Sequence, residues 1–167
     1  KYTGKPLALF CSLCFLDIWA KMMPFAGFDM PVRYAGDKEE HMTVRNDVGV
    51  FDVSHMGEFL ISGPEAWELI QYVSSNDVLK LEEGGIQYSC LPNDRGGIVD
   101  DLLIYKLNDE LFMLVVNASN IDKDFSWVFN HNTFDCVVSN VSDNYALFAV
   151  QGPKSVPAIQ SLTEVNL

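Results

Sequence analysis

The chain has 167 residues, 49% of them hydrophobic, which is core material for one ordinary domain or for part of a larger protein. Its 11 lysines and arginines against 23 aspartates and glutamates leave a formal charge of −12. That charge repels polyanions and sets aside nucleic acid and anionic membrane surfaces as partners, leaving a small substrate or a protein with its own basic patch.

Residues 1–20 stand apart from the rest. Lys1 and Lys5 precede an apolar run, in the order of a signal peptide, but Asp17 closes the run after about ten positions and no small-x-small cleavage site follows. A bilayer span needs ~20 apolar residues, so no membrane crossing is expected. The segment reads instead as a short apolar helix or an ill-defined chain start. Cys11 and Cys14 have metal-like spacing, yet no second Cys or His pair accompanies them, so zinc is not expected. Four scattered cysteines make no disulfide framework and read as plain thiols of a reducing compartment. The leader also lacks the Arg-rich, acid-poor form of a mitochondrial transit peptide, which favours the cytoplasm over the mitochondrial matrix.

Further along, Asp37, Glu39 and Glu40 with Lys38 read as a solvated face, and His41 and His131 as solvated or locally bonded. From Gly57 the periodicities become orderly. A strand over residues 58–62 meets Gly63-Pro64, which opens a helix running to about Ser75 with Trp67, Ile70 and Val73 on its apolar side. Strands over 86–91 and 98–107 flank Pro92-Asn93-Asp94-Arg95-Gly96-Gly97, a loop rich in turn formers, and form a hairpin. A strand over 111–116, a helix over 120–130 capped by Ser119, and strands over 134–141 and 145–150 follow, with another helix beginning near Pro153. Two β-α-β-β passes predict an α+β fold with antiparallel sheets and helices on one side of the sheet.

Within the second hairpin strand, Asp100 and Asp101 put two adjacent carboxylates into an apolar segment. Alternation places Asp101 with Val99, Leu103 and Tyr105, and Asp100 with Ile98, Leu102 and Ile104. A buried carboxylate is costly without a partner or a ligand. Asp100 is expected to accept backbone N–H groups near the Gly96-Gly97 turn, leaving Asp101 for a ligand. Ser54 and His55 point to opposite faces of an extended segment and supply no catalytic triad.

Phe51-Asp52-Val53-Ser54-His55-Met56-Gly57-Glu58, Gly96-Gly97-Ile98-Val99-Asp100-Asp101-Leu102 and Val115-Val116-Asn117-Ala118 resemble the signatures of the aminomethyltransferases, the T-proteins of the glycine cleavage system. Phe25-Ala26-Gly27-Phe28-Asp29-Met30-Pro31, Ile121-Asp122-Lys123-Asp124 and Ala149-Val150-Gln151-Gly152-Pro153 extend the likeness from Lys21 to the end. It covers the N-terminal part, under half, of a typical member, so residues 21–167 are expected to belong to a folate-binding domain whose later domains are absent. The resemblance implies transfer of a one-carbon unit from the aminomethyl-lipoyl arm of the H-protein to tetrahydrofolate, with release of ammonia and no need of a metal. It places the key carboxylate on Asp101, beside the reacting anilino nitrogen of folate, and lines the site with Met56, Tyr88, Leu103, Tyr105 and Asn117. A non-catalytic folate-binding relative, including the type that acts in iron–sulfur assembly and tRNA modification, is the alternative; the complete block from Phe51 to Glu58 favours the T-protein. The isolated 167 residues are expected to bind folate weakly.

Overall fold

A computed structural model describes residues 7–8 and 19–167. Cys11, Cys14 and most of the expected N-terminal helix fall outside the described residues. Leu7–Ala8, inside that expected helix, instead pairs as strand β1 with Phe28–Asp29. Two compact units emerge, one taking in the described residues up to His55 together with Ala146–Leu167, the other Met56–Tyr145. Among the described residues no helix is long and apolar enough to cross a membrane.

The second unit carries the hairpin and its twin aspartates. Strands β5 (Gly57–Ser62), β6 (Ile86–Pro92), β7 (Ile98–Asn108), β8 (Leu111–Val116) and β9 (Val137–Asn140) form one antiparallel sheet in the order β6-β7-β8-β5-β9. Helices α2 (Ala66–Val73) and α3 (Ile121–Asn130) supply Ala66, Leu69, Ile70, Val73 and Val128 to a core that one face of the sheet completes. The register explains which face. Phe59 pairs with Leu114, which also pairs with Ile104, while Val116 pairs with Leu102, so these buried side chains share a side. Each such side chain removed from water contributes about 1.5–3 kcal/mol, which makes this face, and not the other, the one that dictates register.

Local chemistry sets the boundaries. In the β6–β7 hairpin Asn93 N–H donates to Gly97 O at 2.8 Å, and the Asn93 side chain accepts from Arg95 N and Gly97 N, both at 3.0 Å. Gly96 sits at φ 76°, a conformation that a side chain disfavours. Helix α3 is preceded by a single turn over Ala118–Asn120, and Asn120 stands at its N-cap with no side-chain cap bond. The expected Ser119 cap is therefore not made. Strand β9 starts three residues later than predicted because residues 134–136 are held in a turn: Asn132 Oδ1 accepts from Phe134 N, and Asp135 N donates to Glu65.

The first unit has β1 beside the hairpin β2 (Lys21–Phe25) and β3 (Phe28–Arg33), and a second sheet pairing β4 (Gly49–Asp52) with β10 (Phe148–Gln151). The last strand of the second predicted pass thus joins a partner nearly a hundred residues earlier in sequence, outside the five-stranded sheet. Helix α1 (Asp37–Asn46) begins at the acidic cluster, whose Glu40 reaches back to accept Tyr34 N at 2.8 Å and Gly36 N at 2.9 Å. Glu40 is therefore a helix-start acceptor as well as a solvated group. Near α4 (Ser155–Gln160), Lys154 binds Asp47 through its backbone N–H and, at 2.8 Å, its ammonium.

Candidate functional site

The sheet face opposite the helices gathers most of the residues that the sequence singles out. Cross-strand pairing sets Cys90 against Asp101, then Tyr88 against Leu103, Val115 and Glu58, then Ile86 against Tyr105, Met113 and Leu60. Directly opposed residues share a face, so these rows form one surface. Asp101, Leu103 and Tyr105 lie half-buried on it and Tyr88 is exposed. Met56 precedes Gly57, whose partner is Val116, and Asn117 follows Val116. Both therefore stand at the end of the sheet where Asp101 lies.

Hydrogen bonds join three of these groups directly. Tyr88 O–H donates to Asp101 Oδ2 at 3.0 Å, and Asn117 Nδ2 donates to Asp101 Oδ1 at 3.3 Å and to Asp101 O at 3.2 Å. Accepting from Tyr88 makes the Asp101 carboxylate oppose loss of the phenol proton, so Tyr88 is held above its ordinary range. Leu103, Tyr105 and Met56 share the face or its end without a hydrogen bond to Asp101.

Asp100 lies on the helix side, as its parity requires, but not in the role expected of it. The turn N–H groups go to Asn93, and Asp100 instead accepts from Asn120 Nδ2 at 2.8 Å and Asn117 Nδ2 at 3.2 Å. Burial pushes Asp100 up, but the hydrogen bonds from Asp124, Asn120, the Asp101 backbone and Asn117 prevail and leave it below its ordinary value.

Two further carboxyl groups, which the sequence does not single out, are buried. Asp124 on α3 is 0% exposed, with Lys123 Nζ 3.9 Å from one oxygen and no nitrogen donor bonded to either. Burial, then the hydrogen bond and charge of Asp100, push it up to about 7, Lys123 opposing. Glu58 on β5 is 2% exposed, its carboxyl finds no hydrogen-bond partner among the described residues, and it is pushed up to about 7 by burial alone. The available signal was spacing: Asp124 occupies the apolar stripe of α3 with Ile121 and Val128, at offsets of three and four.

Ser54 and His55 belong to the first unit and have structural surroundings. Ser54 Oγ accepts from Leu147 N at 3.0 Å, and the His55 ring packs edge-on against Phe25 with centroids 5.8 Å apart. Burial lowers His55, Asp52 opposing. An apolar concavity in that unit is lined by Met30, Val32, Tyr34, Val44, Phe51 and His55 and holds none of the predicted site residues. His131 is locally bonded, its Nδ1 being 2.7 Å from Trp127 O.

Comparison with known proteins identifies the family. The model of the GCVT N-terminal domain matches residues 15–167. An aminomethyltransferase of Flavobacterium psychrophilum is 60% identical over 151 residues, which is 90% of this chain and 42% of that protein. One from Bacteroides fragilis is 57% identical over 152 residues, 91% of this chain and 42% of its own length. Among solved structures, the glycine cleavage system aminomethyltransferase T of Bartonella henselae superposes with a TM-score of 0.87 at 35% identity, covering 93% of this chain and 43% of that one. The chain thus spans under half the length of the relatives it matches, and it belongs to the GCVT N-terminal domain family, that of the glycine cleavage aminomethyltransferases.

Proposed function

We propose that the full-length protein containing this chain transfers the one-carbon unit of an aminomethyl-lipoyl H-protein to tetrahydrofolate, releasing ammonia, with Asp101 as the carboxylate at the reacting centre. The supporting observation is the setting of Asp101 on the open sheet face. One oxygen is held by Tyr88 and the other by Asn117, beside an apolar strip of the half-buried Leu103 and Met113. A flat folate ring suits such a strip, and polar tips at its margin supply orientation.

The two hydrogen bonds fix the carboxylate before substrate arrives, so little reorganisation is needed as charge develops. Each Asp101 oxygen keeps a further lone pair. One accepts the N–H of the anilino nitrogen and orients that nitrogen towards the incoming carbon; the negative charge stabilises the positive charge developing on that carbon as ammonia departs. The carbon's bond to the lipoyl sulfur breaks as its bonds to the folate nitrogens form, the two folate N–H protons leaving with ammonia and on the sulfur, which returns as a thiol. Tyr88 and Asn117 hold the geometry, Leu103 and Met56 exclude water, and Tyr105 extends the same face. We place the reaction in the cytoplasm, consistent with the bacterial origin of the similar proteins.

The test is a transfer assay with full-length protein, aminomethyl-loaded H-protein and tetrahydrofolate. Ammonia and methylene-tetrahydrofolate are expected in equal amounts, with ammonia release slowed at least about a hundredfold when folate is omitted. Ammonia release that ignores folate, or folate binding without transfer, would overturn the proposal.

A further inference from the structure

The carboxyl of Asp124 is wholly buried and unused by the proposed chemistry, and it lies on the side of the sheet where Asp100 meets helix α3. Asn120, whose amide donates to Asp100 at 2.8 Å, stands four residues before Asp124 on the same face of α3, so the Asp124 carboxyl faces Asp100. Asp100 accepts from the Asn117 amide, and the same Asn117 nitrogen donates to Asp101 Oδ1. We propose that Asp124 is a positioning residue for aminomethyl transfer: its carboxylic acid O–H donates to Asp100, and Asp100 in turn orients the Asn117 amide that holds Asp101 in place. The inference rests on the reading of Asp101 given above.

The donor count supports it. Asn117 Nδ2 has two hydrogens and faces three acceptors, Asp100 Oδ1, Asp101 O and Asp101 Oδ1, at 3.2–3.3 Å. Its hydrogens are therefore shared, and their direction depends on where the Asp100 carboxylate sits. Asp100 is held at Oδ2 by Asn120 at 2.8 Å and at Oδ1 by Asn117 at 3.2 Å, and each oxygen keeps a lone pair for a further donor. The charged groups facing Asp124 are Asp100 and Asp101 from β7 and Lys123 from its own helix. Lys123 does not satisfy it, because that ammonium donates to Val99 O at 2.6 Å and stands 3.9 Å from Asp124. Two ionised carboxylates packed together in the interior repel, so one retains its proton. Burial and the charge of Asp100 put that proton on Asp124 up to about pH 7. Above that, the O–H donor is lost and Asp100 is pushed away.

The experiment compares Asp124→Asn, Asp124→Leu and Asp101→Asn in the full-length protein by kcat, KM for tetrahydrofolate and pH profile. An Asn amide donates as the acid does but does not titrate, so Asp124→Asn is expected to keep kcat within about threefold and to lose the alkaline limb near neutrality. Asp124→Leu fills the space without a donor and is expected to lower kcat about ten- to a hundredfold with a smaller change in KM, since misplacement acts on the reacting centre. Asp124→Leu with unchanged kcat, or Asp124→Asn as slow as Leu or with an unaltered alkaline limb, overturns the inference. Should Asp101→Asn transfer as fast as the wild type, the reading of Asp101 itself fails; loss at Asp101 with no loss at Asp124→Leu rejects only the relay.

Discussion

Asp101→Asn in the full-length protein is expected to slow aminomethyl transfer about a thousandfold while leaving the fold intact, the size of effect associated with removing a preorganised electrostatic group. The substitution is nearly isosteric. Tyr88 O–H can donate to the amide oxygen as it does to Oδ2, and the core-side neighbours Leu102 and Ile104 are untouched. What is lost is the negative charge and the acceptor at Oδ1, where an amide nitrogen would face the Asn117 Nδ2 donor that now lies 3.3 Å away. Folding stability should fall by no more than about 1–2 kcal/mol, because a half-exposed hydrogen bond is being exchanged. Steady-state transfer kinetics and thermal melting separate the two effects. Transfer within about tenfold of wild type would remove Asp101 from the reacting centre.

Glu58→Gln is expected to stabilise the protein above neutral pH and to flatten its pH dependence. Glu58 is 2% exposed and its carboxyl has no hydrogen-bond partner among the described residues, so burial raises it from 4.5 to about 7. In the unfolded chain the group ionises near its ordinary value. Between the two values the folded protein binds a proton that the unfolded chain does not, so stability falls as pH rises through that window and levels off above about 7. The full loss is about 3 kcal/mol. A glutamine at this position does not titrate, but leaves its amide to be buried at a cost of about 1–2 kcal/mol. The net expectation is about 1–2 kcal/mol of added stability at about pH 8.5 and reduced stability at about pH 5. Asp124, raised in the same direction, adds to the wild-type slope, whereas Asp100, which is lowered, acts only in more acidic solution. Urea unfolding at the two pH values reads the difference directly. Equal pH slopes for wild type and Glu58→Gln would show that Glu58 is ionised, and paired, in the folded protein.

Much of this unit is legible from period and punctuation. Alternation in β7 separates Asp101 and Tyr105 from Asp100 and Leu102, and the observed register with β6 and β8 keeps them on opposite faces. The Asn93-to-Gly97 loop declares its hairpin through turn chemistry, and the apolar run of Leu111–Val116 matches its strand residue for residue. Other features depend on partners far along the chain. Pairing of β10 with β4 joins segments whose local patterns hold no information about each other. Glu58 stands in a strand between apolar neighbours and reads as the polar side of an amphipathic strand, although the folded chain buries it. Asp124 sits on the apolar side of an otherwise ordinary helix, and its meaning appears only once Asp100 is seen across from it. Met56, Tyr88, Leu103, Tyr105 and Asn117 owe their selection to the family resemblance; parity alone assigns a face, and a Tyr or Leu on an inward face is ordinarily core.

The most direct measurement is a crystal structure of the full-length protein with tetrahydrofolate bound. The expected result is the folate lying on the open sheet face along Leu103, with its anilino nitrogen within hydrogen-bond distance of an Asp101 oxygen. Folate bound away from that face, with Asp101 still engaged only by Tyr88, Asn117 and solvent, would contradict the account.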